Sequence, residues 1–169
     1  MSAVFPRGAR LPTAVSAEGC WVIDAEGNRY LDAAGGAVVC GIGHGRREVI
    51  AAISGQLASV DYVHATTFST PILEEYASAV TSRVPMAGAR IYPVSGGSEA
   101  METALKLARA YHLARDEPHR TGLLARDGSY HGNSLGALDA SGRASLRAPY
   151  LPWLGRTVHL PPVYEYRCR

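Results

Sequence analysis

The chain has 169 residues, enough for one ordinary domain with a core or for parts of two. Apolar residues make up 47% and charged residues 19%, the balance of a soluble globular protein rather than a disordered one. A net charge of +2 is too small for a nucleic-acid surface or a polybasic membrane patch, and no stretch approaches the roughly 20 apolar residues of a membrane span. Cys20, Cys40 and Cys168 are scattered, with neither zinc nor redox spacing. Met1 to Leu11 carries Arg7 and Arg10 but no apolar run of the secretory type. A cytoplasmic protein is the expectation. Lys106 is the sole lysine, so lysine-dependent chemistry is easy to audit.

In chain order, Trp21-Val22-Ile23 and Arg29-Tyr30-Leu31 read as two short strands around a turn at Glu26-Gly27-Asn28. A glycine-rich stretch runs from Gly35 to Gly45. Val49, Ile50, Ile53, Leu57 and Val60 then recur at helical spacing, which predicts a helix over about 46–60. Thr70 as N-cap with Pro71 at the first helical position opens a second helix with Ile72, Leu73, Tyr76, Ala77 and Val80 on its apolar face. From Ala89 the pattern changes: a buried strand at Ala89 to Val94, a turn, and a strong helix from about Glu99 to Leu113. Strands follow at Gly122 to Arg126 and Arg156 to Leu160, with 127–155 hard to divide. This is the rhythm of an α/β layer with parallel strands.

The stretch Arg90 to His112, RIYPVSGGSEAMETALKLARAYH, carries the most chemistry. Gly96 and Gly97 let the backbone approach a ligand closely. The helix that follows has unpaired N–H groups and the positive end of its dipole at its start. Ser98 is read as the cap of that helix and as a hydroxyl for an anion. Together these suit a phosphate, although short glycine-serine turns are also common connectors. Two rival motifs overlap the glycines. Gly96 to Ala100 nearly fits a nucleophile elbow, with Ser98 as a hydrolase nucleophile and Asp127 or Asp139 with His159 to complete a triad. The last position is Ala rather than Gly, and no oxyanion segment lies upstream. Gly41 to Gly45 as a dinucleotide loop fails at its third glycine, where Arg46 stands.

Taken together, SGGSEAMETALKLARAYH, GSYHGNSLGAL and NRYLDAAGGAVVCGIGHGRREVIAAISGQL resemble the class III aminotransferases, in that family's order and over about Cys20 to Arg169. The resemblance implies an α/β fold, part of a fold-type I PLP-dependent transferase: an N-terminal small-domain segment over 1–60, then over 61–169 the first strands of a mostly parallel sheet flanked by helices. It implies pyridoxal 5'-phosphate (PLP) as cofactor, with Gly97, Ser98 and neighbouring Gly96 at its phosphate, Tyr130 stacked on its ring and His131 beside it. An amine or amino acid would be the amino donor and an oxo acid the acceptor. The complete enzyme would be a homodimer. Near Ala37, Val38 and Val39, where family members that favour bulky amines often carry an aromatic, this sequence is small.

The resemblance also puts the Schiff-base lysine and the acid that pairs with the pyridine nitrogen downstream of Arg169. Lys106 lies about 12 Å along the helix from Ser98 and away from the apolar face of Met101, Ala104, Leu105, Ala108 and Tyr111, so it is expected to be a solvated surface lysine. The 169 residues alone are thus expected to be an inactive fragment. The alternative is a non-catalytic PLP-binding remnant or partial subunit.

Overall fold

The computed structural model describes Val4 and residues 11–167; the sequence readings on Arg7, Arg10 and Cys168 lie outside the described residues. The chain divides into two units, Met1–Glu74 and Glu75–Arg169.

In the first unit a three-stranded antiparallel sheet runs β1 (Ala14–Glu18), β2 (Trp21–Asp24), β3 (Arg29–Leu31). The predicted β2–β3 hairpin is present, with Val22 opposite Tyr30. Its turn is built on Asp24, which is 3% exposed. The carboxylate accepts the N–H groups of Glu26 and Asn28, the Asn28 side-chain amide and the Tyr30 hydroxyl. The Asn28 amide leads in holding this carboxyl below its usual range, against the opposing effect of burial. Strand β1 was not predicted, because in AVSAE only Val15 is a strong strand former.

The glycine-rich stretch begins with a single turn, α1 (Gly35–Val38), whose backbone is left-handed: φ is +54° at Gly35, +59° at Gly36, +63° at Ala37 and +71° at Val38. Gly35 and Gly36 adopt this freely. Ala37 and Val38 carry roughly 1–2 kcal/mol of strain each. The helix predicted over 46–60 is α2 (Arg47–Ser59), and the one opening at Pro71 is α3 (Pro71–Thr81). Along α2, Val49, Ile50, Ile53 and Leu57 remain 37–59% exposed, so the predicted apolar stripe exists but is uncovered.

The second unit contains α4 (Gly97–Ala114), β4 (Leu123–Arg126), α5 (Leu135–Ala140), α6 (Ala144–Arg147), a 3-10 segment at Ala148–Trp153 and β5 (Thr157–Leu160). Strands β4 and β5 pair in parallel, Leu123 opposite Thr157, with α5 in the crossover between them. The predicted strand at Ala89 to Val94 is not formed. A strand needs a ladder, β4 pairs with β5 alone, and no described strand lies beside 89–94.

Burial in this unit centres on α5, where Ala137, Leu138, Asp139 and Ala140 are all buried. Asp139 accepts the N–H groups of Gly155 and Arg156 and the Thr157 hydroxyl, and Arg147 lies 3.8 Å away. Burial pushes its carboxyl up, yet the Gly155 N–H, the Thr157 hydroxyl, the Arg156 N–H and the Arg147 charge together hold it below the usual range. One buried acid therefore fastens the end of α5 to the start of β5. Among the described residues, no helix is long and apolar enough to cross a membrane.

Candidate functional site

Helix α4 starts two residues earlier than a helix capped by Ser98 would. Gly96, extended at φ −166°, is the N-cap and makes no side-chain cap bond; Ser98 is already the second helical residue. This corrects the reading of Ser98 as the cap. The Glu99 carboxylate, in the first turn, instead reaches back and accepts the Ser95 N–H at 2.9 Å. Ser98 is thereby released from local duty and turns toward the loop after β4.

There its Oγ accepts the Asn133 N–H at 2.9 Å. With that lone pair engaged, the hydroxyl proton remains available to donate to an anion. Gly132, at φ +139°, makes the approach possible: a Cβ there would stand 2.8 Å from Ser98 Cα and 2.9 Å from its Cβ. The loop is fastened twice more. The His131 N–H donates to the buried Ser141 Oγ at 2.9 Å. The Glu102 carboxylate accepts Gly136 N–H at 2.9 Å and Ala137 N–H at 3.3 Å, so a side chain of α4 caps α5.

Glu102 is held below the usual carboxylate range, first by the nearby Ser134 hydroxyl, against burial, then by those two N–H groups and the charge of Lys106. Ser134 Oγ is buried and meets normal hydrogen-bond geometry with no described group, so its influence on Glu102 is one of proximity.

Between the first turns of α4 and this loop lies an open hollow of about 600 Å³. Gly97, Ser98, Tyr130 and His131, all singled out from the sequence, line it together with Met101 and Gly132. Gly96 does not line it. A Cβ on Gly97 would meet nothing within 4 Å, so no tertiary contact among the described residues accounts for glycine there. Tyr130 is 56% exposed, with the Arg143 guanidinium 5.4 Å from its ring centre. A polar helix start on one side and an aromatic ring on the other suit a flat phosphorylated ligand.

The hydrolase alternative finds no such support. Asp139 is engaged with the start of β5, His159 Nε2 lies 3.1 Å from the Ser141 carbonyl oxygen, and neither is hydrogen-bonded to Ser98. Lys106 is exposed and is not among the residues lining the hollow. Sequence reasoning missed Gly132, Asn133 and Glu102. The last could have been found, because it stands four residues after Ser98 on the same helix face.

The chain is a mixed α/β segment that matches part of the PLP-dependent transaminase structures. The chain superposes on an (S)-enantioselective omega-transaminase from Thermomicrobium roseum with a TM-score of 0.91 at 34% identity, over 98% of this chain and 39% of that one. An amine transaminase from an uncultivated Pseudomonas species, solved with PLP bound, gives 0.89 at 32% identity, over 99% and 38%. An uncharacterised aminotransferase of Schizosaccharomyces pombe is 40% identical over 159 residues, 94% of this chain and 35% of its own length. The family model Aminotransferase class-III matches residues 5–168, and the chain belongs to that family, whose members use PLP. It spans about a third of the length of the curated relatives it matches.

Proposed function

We propose that these residues form the phosphate cradle and ring wall of a PLP-dependent aminotransferase that moves an amino group between an amine or amino acid and an oxo acid. The observation that carries this reading is that the start of α4 and the Tyr130 ring line one hollow. The residues fit the cofactor. Gly97 and Ser98 lie in the first turn of α4, where backbone N–H groups have no intrahelical partner, and the Ser98 hydroxyl can donate beside them. Gly97 leaves room for close approach. Tyr130 would lie against the pyridine ring, with His131 at the rim.

PLP, when bound, supplies an electron sink that lets a substrate bond at the amino-bearing carbon break. The residues of this chain would anchor and orient it. They include no lysine suited to proton transfer, since Lys106 is exposed outside the hollow. We therefore assign the Schiff-base lysine and the pyridine-pairing acid to the part of the family's length that this chain does not span. Residues 1–60 would belong to the small domain and 61–169 to the large one, and the complete enzyme would be a homodimer.

The test is a PLP titration of the purified chain followed by borohydride reduction and peptide mapping. Binding that weakens in Ser98→Ala and Tyr130→Ala, with no lysine trapped, supports the reading. Trapping at Lys106, with an absorbance change on adding an amino donor, would refute the assignment of the lysine.

A further inference from the structure

Outside this hollow, the first unit holds a second chemical cluster. Cys40 Sγ lies 3.5 Å from His44 Nδ1, and His44 Nε2 lies 2.9 Å from Asp32 Oδ2. We propose that Cys40 is a histidine-activated thiol, with His44 as its base and Asp32 as the group that orients His44, and that it takes up small disulfides by thiol–disulfide exchange.

The three side chains are brought together by backbone that is itself fixed. His44 and Gly19 exchange both backbone hydrogen bonds, at 3.0 and 2.8 Å. The Asp32 N–H donates to the Cys20 carbonyl at 2.8 Å. The Cys40 N–H donates to the Gly35 carbonyl at 2.8 Å, tying the cysteine to the left-handed turn α1. The second Asp32 oxygen accepts the Gly36 N–H at 3.2 Å.

Roles follow from this network. His44 leads in holding the Asp32 carboxyl below the usual range, with the Gly36 N–H next, so Asp32 is an acceptor at neutral pH. An acceptor at 2.9 Å requires the proton on His44 Nε2. In the neutral imidazole Nδ1 then carries the lone pair, and it is Nδ1 that faces the thiol. A thiol, an imidazole and a carboxylate in this order are the elements of an activated nucleophile. Cys40 is half-buried, and its chain neighbours Val39 and Ile42 are 85% and 62% exposed.

In the exchange, the Cys40 thiol gives its proton to His44 Nδ1 and the sulfur attacks one sulfur of the disulfide. The S–S bond of the reagent breaks as the Cys40–S–S–R bond forms. The departing thiolate takes up a proton, so Cys40–SH and R–S–S–R become Cys40–S–S–R and R–SH. The reagent disulfide is the oxidant, and no other is needed.

Cys20 provides an internal comparison, because it is more exposed than Cys40 and its thiol makes no hydrogen bond or ion pair among the described residues. At about pH 6.5 an ordinary thiol is only about 1% thiolate, so accessibility alone favours Cys20. The experiment treats the intact protein carrying Cys168→Ser with 4,4′-dithiodipyridine at that pH, quenches in acid and maps peptides. Trypsin cleavage after Arg29 separates the two cysteines. The expected result is modification of Cys40 at least about fivefold faster than Cys20, falling to near parity in urea. His44→Asn, which keeps the backbone bridge to Gly19, should slow Cys40 and leave Cys20 unchanged. A Cys40 to Cys20 ratio below about fivefold in the folded protein would overturn the proposal without recourse to any variant at His44.

Discussion

Gly132→Ala tests whether the two walls of the hollow are fitted to each other. A methyl group at this position would stand 2.8 Å from Ser98 Cα and 2.9 Å from Ser98 Cβ. The first of these is backbone in the opening turn of α4, which cannot rotate away as a side-chain tip can. The φ of +139° adds a conformation that alanine adopts at a cost of about 1–3 kcal/mol. Overpacking contributes about 1–3 kcal/mol more. Relief by moving the loop would break the Asn133 to Ser98 hydrogen bond, which is worth about 1 kcal/mol. The total, about 2–6 kcal/mol, should lower the Tm of the intact protein by at least about 4 °C and weaken PLP binding, read by thermal denaturation and absorbance titration. Gly122→Ala is the control, since its Cβ meets nothing within 4 Å and its φ is not left-handed. A Gly132→Ala protein with the Tm and PLP affinity of the parent would refute the fitted-wall argument.

Gly97→Ala should behave in the opposite way toward stability, which is held or raised by about 0.4–1 kcal/mol, while PLP Kd rises about tenfold in the same titration. Unchanged affinity would mean that the glycine serves no ligand. Tyr130→Ala should weaken PLP binding by up to about tenfold and Tyr130→Phe should leave it intact, because the ring face and not the hydroxyl would make the contact. For Glu102, the carboxyl in the folded chain titrates below its usual 4.5, so its capping of α5 is fully present above that pH and is lost as pH falls through the folded value. Acid unfolding followed by circular dichroism should therefore lose part of its pH dependence in Glu102→Gln, together with roughly 1–3 kcal/mol of stability at neutral pH.

The sequence was most readable where structure is local. Pro71, the apolar spacing of α2 and the glycine-serine turn each act within one or two turns of chain, and those elements appear within a residue or two of expectation. Tyr130 and Ser98 were identified from motifs and do line one hollow. What escaped depends on distant partners. Residues 89–94 have strand composition but no described ladder. Helix α5 has six residues, too few to show a period, and buries a charge, Asp139, whose hydrogen-bond partners lie 16 to 18 positions away. The left-handed α1 turn was also invisible, because Ala37 and Val38 are residues that resist that backbone.

Binding and chemistry separate along this chain for a structural reason. The parts that would hold a phosphate and a flat ring come from α4 and the loop after β4, joined through Ser98, Asn133, Glu102 and Gly136 within a single unit. The one lysine lies on the same helix, two turns beyond Ser98, exposed and near Glu102, whose carboxylate already caps α5. Moving Lys106 into the hollow would require α4 to rotate. Rotation would withdraw Glu102 from Gly136 and Ala137 and Ser98 from Asn133, dismantling the cradle that the lysine would have to serve. If the hollow anchors the cofactor as proposed, Lys106 stays outside it, and a PLP titration followed by borohydride reduction should show affinity without trapping of Lys106.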